Sequence, residues 1–287
     1  MGYSYEYATK QDGWEISKLI EDVDFKGEIS LAYCRRPNAV ISLMKDGDKS
    51  TFVIVKDGDS KIVAVGACVI NKDIAYLTGM RAIKRVNIPK CYELLREFCV
   101  ENGVKLTYTT ILKDNVSVQN MLEKKRPKMP YYLRHSECVV NIVRKNLRIR
   151  DKNRLIQRGV FYVLENPQGQ QLAQGKAVTQ WDYKQYVVKH YGWKMRCAKL
   201  FFKWIPPENE VLKFFTLCNV EADGDNVLDS FLRHISNLPI EGNFFLYGGA
   251  SCPVKSIKYK SIVYIVDWDK TIRNVSDIKL NIEIDKL

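Results

Sequence analysis

The amino-acid sequence predicts a mixed α/β fold built as two successive halves, and three observations carry that prediction. β-rich runs alternate with helical patterns along the chain, as expected for sheets flanked by helices. Between residues 75 and 123 the order is strand-like AYLTGMRAI, basic turn KRVNIPK, helical CYELLREFCVENG, strand-like KLTYTTIL and a second helical run VSVQNMLE. The same strand–turn–helix–strand order returns later as LKFFTLCNVEA, LDSFLRHISNLPIEG and NFFLYGGA. A repeat of about 140 residues reads as a duplicated domain, not a solenoid.

Taken in order, a strand covers residues 3–8 and a helix residues 14–20, with Thr9 preceding that helix and Asp12 just upstream as its cap. Residues 27–43 read as short helix or irregular chain. TFVIVKD and KIVAVGACVIN form a hairpin through Gly58, Asp59 and Ser60. The unit at 75–123 follows, and CVVNIV (138–143) is the strand that closes the first half. RKNLRIRDKNRLIQR (144–158) reads as a solvated connector, and the boundary falls between Asn146 and Asp151. The expected domains are 1–148 and 149–287. In the second half GVFYVLEN is a strand and 171–178 is ambiguous. WDYKQYVVKHYGW is read as helix or loop over a core. VLKFFTLCNVEA is a strand, and NVLDSFLRHISNL is a helix with Asp223 or Asp225 as its cap. NFFLYGGA and SIVYIVDW are strands.

Composition bounds the rest. With 287 residues, 46% apolar and 27% charged, the chain suits one large or two ordinary soluble domains. No run of about 18 apolar residues is present, which excludes a spanning helix. MGYSYEYATK has no apolar stretch of a secretion signal's length, so a cytoplasmic protein with no membrane partner is expected. The eight cysteines show no metal-ligand or disulfide spacing and read as reduced thiols. The net charge of +12 suits a phosphate-rich ligand, nucleic acid or simple solubility. The tract WDYKQYVVKHYGWKMRCAKLFFKW mixes aromatic and basic residues in a way that suits single-stranded nucleic acid. The same pattern arises when a helix buries its rings and exposes lysines, and this second reading is preferred, so nucleic acid is not favoured.

The order of elements resembles the GCN5-related N-acetyltransferase (GNAT) superfamily, well over about residues 3–146 and loosely over 155–270. GMRAIKR sits where that superfamily has a strand end entering a pyrophosphate turn. Asn115, before a short helix, matches an Asn often found there. EKKRPKMPYYL resembles the Arg-Pro-x-x-Pro segment of a tandem subset. The resemblance implies two tandem GNAT-like domains, each a mixed, mostly antiparallel sheet flanked by helices. It also implies acetyl-CoA in the split between the strands at 75–83 and 105–112. Backbone groups of Met80, Arg81, Ala82 and Ile83 would pair with the pantetheine. Arg85, Val86, Asn87, Ile88, Pro89 and Lys90 would face the pyrophosphate, with Lys84 beside them and Asn115 across the split.

The chain departs from the superfamily in this turn, which has no glycine and looks about two residues shorter. Glycine admits backbone N–H groups close to a pyrophosphate; basic side chains would substitute by direct contact. Pro89 suits the first turn of the following helix. The matching place in the second half, Ala222 to Asn226, carries Asp223 and Asp225, which would repel a diphosphate, so that half is expected to be a degenerate copy.

Acetyl transfer to an amine needs a neutral nucleophile and a path for protons. Neither strand around the split contains a carboxylate, and the superfamily's usual Tyr position, seven residues after Asn115, is Leu122. Tyr76, Tyr108 and Tyr132 are the candidate proton donors, with Tyr131 nearby, and each is also an ordinary packing aromatic. Strand alternation puts Tyr76 on one face with Thr78 and Met80. His135, His190 and His234 fall in no recognisable catalytic grouping. The expected function is acetyl transfer from acetyl-CoA to an amine of a small molecule or a protein. The alternative is a catalytically silent acyl-CoA-binding or sensing protein. The oligomeric state is left open.

Overall fold

The computed structural model of the chain describes residues 2–21, 29–201 and 205–280. The first series of elements runs β1 (Ser4–Tyr7), α1 (Gly13–Glu21), β2 (Ile29–Arg35), α2 (Ala39–Leu43), β3 (Lys49–Lys56), β4 (Ile62–Asn71), β5 (Ile74–Ala82), α3 (Ile88–Glu101), β6 (Leu106–Leu112), α4 (Val116–Glu123) and β7 (Tyr131–Arg144). The second runs β8 (Arg154–Arg158), β9 (Phe161–Glu165), β10 (Gln171–Thr179), β11 (Lys184–Tyr191), α5 (Trp193–Phe201), β12 (Phe214–Ala222), α6 (Asp225–Ile235), β13 (Phe244–Gly248) and β14 (Ser256–Asp267).

Twelve of these strands form one sheet in the order β1-β3-β4-β5-β6-β14-β7-β13-β12-β10-β9-β8. Among the described residues, β5 with β6 and β12 with β13 are the parallel neighbours, and the other pairs are antiparallel. The fold class is therefore mixed α/β with a mostly antiparallel sheet. One expectation is corrected. The segment at 138–143 does not close the first half. It lies in β7, and β14 from the far end of the chain enters between β6 and β7. Conversely, β7 supplies the strand beside β13. Each series receives its closing strand from the other.

The local chemistry explains the elements. β4 is apolar at nearly every position and buried at nearly every position, because helices cover both sheet faces and no alternation is needed. In β3, Val53 and Val55 meet Leu95 and Cys99 of α3, whereas Phe52 and Ile54 meet Ile16, Leu19 and Leu43 of α1 and α2. On α6, Leu228, Phe231, Leu232 and Ile235 repeat at helical spacing and bury against Leu164, Phe215, Leu217 and Phe245.

Four readings of the sequence change. Residues 29–35 are strand β2, not helix or loop; residues 27 and 28 of that stretch lie outside the described residues. β2 pairs with β11, in the tract read as helix or loop, to form a separate two-stranded ribbon joining the two series. Residues 154–158 of the basic connector form β8 at the sheet edge. Helix α6 begins on Gly224, not on an Asp cap; Asp225 instead accepts a hydrogen bond from Ser251 Oγ at 2.9 Å.

Candidate functional site

The sheet opens where β5 meets β6. Pairing between them joins Ile74, Ala75 and Tyr76 to Leu106, Thr107 and Tyr108. A last link follows, Thr109 Oγ1 donating to the Leu77 carbonyl at 2.8 Å. Beyond it β5 stays with β4 up to Ala82, while β6 stays with β14 up to Leu112. Each strand is held by its other neighbour, so the two diverge. Within the opening β5 bulges: pairing with β4 jumps from Arg81–Val65 to Thr78–Ala67, and Gly79 has φ +64°. A methyl group at Gly79 would meet only ordinary contacts, the nearest being Ala67 Cβ at 3.6 Å. The backbone angle, not crowding, is what requires glycine here.

The bulge changes which side chains share a face. Met80 turns toward α3, where its sulfur accepts from the Tyr92 hydroxyl at 3.2 Å. Tyr76 lies on the other face, packed with Tyr108, Val263 and Ile265. The expected alignment of Tyr76 with Met80 is therefore corrected, since the extra residue at the bulge reverses the alternation. Tyr76 and Tyr108 stack with ring centroids 5.0 Å apart, and the Tyr76 and Thr110 hydroxyls hydrogen-bond across the split at 2.8 Å. Tyr132 is separate from this pair. It is buried on the α3 face and donates to the Tyr92 hydroxyl. Burial raises the pKa of Tyr76, pushes Tyr92 up to about 12 and holds Tyr132 well above the ordinary phenol value. All three keep their protons at neutral pH.

The turn after β5 opens to solvent. Ala82, Ile83, Lys84, Arg85, Asn87 and Lys90 are exposed, while Val86, Ile88 and Pro89 are half-buried. α3 starts on Ile88 after the N-cap Asn87, with Pro89 in its first turn as expected. Several groups already have partners. Lys84 Nζ lies 2.6 Å from Asp57 Oδ2. The Asn87 N–H donates to Tyr5 Oη at 2.9 Å, and the Lys90 ammonium sits 4.9 Å from the Tyr5 ring centroid. The Met80 carbonyl accepts from Arg81 Nη1 at 2.8 Å, and the Ile83 N–H donates to the Val63 carbonyl at 2.9 Å. Asn115, across the opening, caps α4 by accepting from the Val118 N–H at 3.3 Å.

Leu122 is buried in the α3-side core, and the exposed α4 face offers no tyrosine in its place. His234 Nε2 lies 3.0 Å from Asp151 Oδ1, and Ser230 Oγ donates to Asp151 Oδ2 at 2.7 Å. Both partners bond the carboxylate and no bond joins serine to imidazole, so the group clamps the inter-series segment to α6 and activates no nucleophile. Burial alone would raise the Asp151 pKa, but the bonds from Ser230 and His234 outweigh it and hold the carboxyl below its ordinary value.

Tyr92, Thr110, Tyr5 and Asp57 were missed at the sequence level. Tyr92 falls on the helical stripe with Leu95 and Cys99 and reads as core. Thr110 stands two residues from Tyr108, so alternation alone could have placed it on the tyrosine face. Tyr5 and Asp57 reach the turn from distant elements, and no local spacing announces them.

No protein-family model matches this chain, and no curated relative matches it. Solved structures do. A GCN5-related N-acetyltransferase from Sphaerobacter thermophilus superposes with TM-score 0.56 at 7% identity, over 92% of this chain and 95% of that one. Saccharomyces cerevisiae N-myristoyltransferase with bound myristoyl-CoA gives 0.52 at 9% identity, over 92% and 82%. A putative acetyltransferase from Pyrococcus horikoshii gives 0.51 at 9% identity, over 96% and 92%. The parted parallel strands, the bulge and these superpositions agree that the chain has the fold shared by the GCN5-related N-acetyltransferases and N-myristoyltransferase.

Proposed function

We propose that this chain is an acyl-CoA-dependent N-acyltransferase, with acetyl-CoA as co-substrate and an amine of a small molecule or protein as acceptor, acting in the cytoplasm. The observation that carries this reading is the parting of β5 and β6 beyond Tyr76 and Tyr108, with the bulge at Gly79 in its wall. Parted parallel strands present backbone groups that a ligand with amide groups can pair. The α3 N-terminus and Arg85 lie at the open end, where an anionic end would sit. On this reading Met80, Arg81, Ala82, Ile83 and Asn115 line the acyl arm, and Arg85, Val86, Asn87, Ile88, Pro89 and Lys90 form the phosphate corner.

A bound acyl-CoA supplies an activated carbonyl and a thiolate leaving group. The chain's own residues must then manage protons. Tyr76, protonated and fixed by Thr110 at the split, is the best placed donor; Tyr108 holds its ring. The Tyr132–Tyr92 pair reaches Met80 from the opposite face and is the second candidate. Neither flanking strand carries a carboxylate, so deprotonation of the amine falls to water or to the incoming acceptor itself.

The domains 1–148 and 149–287 are, on this proposal, an acyl-CoA-binding unit and a degenerate copy. In the copy Asn219, at φ +51°, stands at the matching bulge opposite Gly175, but Asp223 and Asp225 flank the start of α6. The absence of a strand carboxylate, together with the engaged Lys84 and Asn87 N–H, favours a second reading as a silent acyl-CoA sensor.

Thermal-shift titration with acetyl-CoA and CoA, followed by turnover on an amine panel, decides between them. Stabilisation with turnover supports the enzyme, and stabilisation without turnover the sensor. No stabilisation by either ligand removes both. Tyr76→Phe should lower kcat by about 100-fold with little change in CoA affinity, and an unchanged kcat would remove Tyr76 from the chemistry.

A further inference from the structure

Helix α5 turns an apolar stripe outward. At 3.6 residues per turn, Trp193, Cys197, Leu200 and Phe201 fall within about 100° of arc. Met195 and Ala198 face the other way and pack with Val188, Tyr191 and Ile205. Trp193 is 70% exposed, and Leu200 and Phe201 are each 81% exposed. A single exposed apolar residue needs no explanation, but three large ones on one nine-residue helix do. Lys194 and Arg196 flank the stripe on the helix surface, and Lys199, one turn on from Met195, holds its ammonium 5.7 Å from the Tyr191 ring centroid. Arg196, Lys199, Leu200, Tyr191 and Glu208 line an open cavity of about 530 Å³ beside the stripe. Glu208 is the acidic member: it accepts the Tyr191 N–H at 2.9 Å and pairs with Arg196 Nε at 4.0 Å. The three cations of the helix against one carboxylate leave an excess of two positive charges here.

We propose that α5 is an interfacial helix that seats the protein on an anionic lipid surface. Trp193, Leu200 and Phe201 enter the headgroup–acyl boundary, and Lys194, Arg196 and Lys199 meet lipid phosphates. The helix lies on the bilayer and does not cross it: among the described residues no helix is long and apolar enough to span. This departs from the sequence-level expectation of no membrane partner, and it stands independently of the acyl-transfer reading. Two other occupants fit less well. Single-stranded nucleic acid stacks on aromatic rings, and Leu200, exposed as fully as Phe201, has none. A second copy meeting this one through the same face would bring both sets of cations together.

The test is co-sedimentation of the full chain with phosphatidylcholine vesicles, with and without phosphatidylserine. Binding should be on the order of tenfold stronger with phosphatidylserine and should fall with added salt. The double variant Leu200→Glu, Phe201→Glu should lose that binding by about tenfold or more, with an unchanged melting temperature, since both side chains are already in solvent. Lys194→Glu with Arg196→Glu, which keeps the stripe, should abolish the salt dependence. The proposal is overturned if the wild type ignores anionic vesicles or if the first double variant binds them equally. It is also overturned if that variant instead abolishes binding of a single-stranded oligonucleotide or dissolves a dimer.

Discussion

Arg85 and Lys84 are neighbours of equal charge, yet the structure gives them different tasks. Lys84 is held by Asp57, while Arg85 projects into solvent beside the α3 N-terminus. Arg85→Ala should therefore weaken CoA binding by about tenfold, the worth of one exposed charge-assisted bond, and Lys84→Ala by much less. Calorimetric titration of both variants checks the ordering; equal losses would show that the two cations share the phosphate. Asp151 carries a stability prediction. Its folded pKa lies below the unfolded value, so its contribution is present above about pH 4 and is lost as pH falls through the folded value. Asp151→Asn should destabilise by about 1–2 kcal/mol at neutral pH, and the gap from wild type should close in acid. A denaturant series at several pH values reads this out. At this scale the sequence was informative where chemistry is local. Pro89 and Asn115 sit at helix starts as their types require. It was silent where a partner is remote, as with Tyr5 against the phosphate corner or Asp151 against α6.

Among the elements, β3, β4, β5, α3, β6 and α6 were legible because each carries its own period or an unbroken apolar run. The ribbon of β2 and β11 was not. Its residues pair across about 150 positions, no turn signal joins them, and mixed aromatic and basic side chains blur the alternation. β8 was hidden by its own charges, the device by which an exposed edge avoids pairing with another molecule. The bulge in β5 could have been read, because an isolated glycine inside a strand marks one, and missing it put Met80 on the wrong face. Gly79→Ala tests that element. The left-handed backbone should cost about 1 kcal/mol, seen as a melting temperature lower by roughly 2–4 °C. Acyl-CoA binding should weaken as the wall of the opening straightens. An unshifted melting temperature would mean the bulge relaxes freely.

At the scale of the whole molecule, the repeated order of elements was visible in the sequence, but the exchange of closing strands was not, because β7 and β14 are equally apolar wherever they pair. That exchange makes the boundary near residue 148 a poor place to cut. A fragment of residues 1–148 leaves β6 without β14, and β7 without either of its neighbours. It should aggregate and show no CoA-dependent stabilisation, whereas the intact chain should melt in one cooperative transition. A soluble, CoA-binding fragment would sink this. The same exchange bears on how the protein is made. When the ribosome has delivered residue 144, the strand that must lie beside β6 is still more than a hundred codons away. Translation takes on the order of ten seconds to supply it. For that interval the nascent chain carries two raw sheet margins side by side, and something in the cell must keep them from finding strangers.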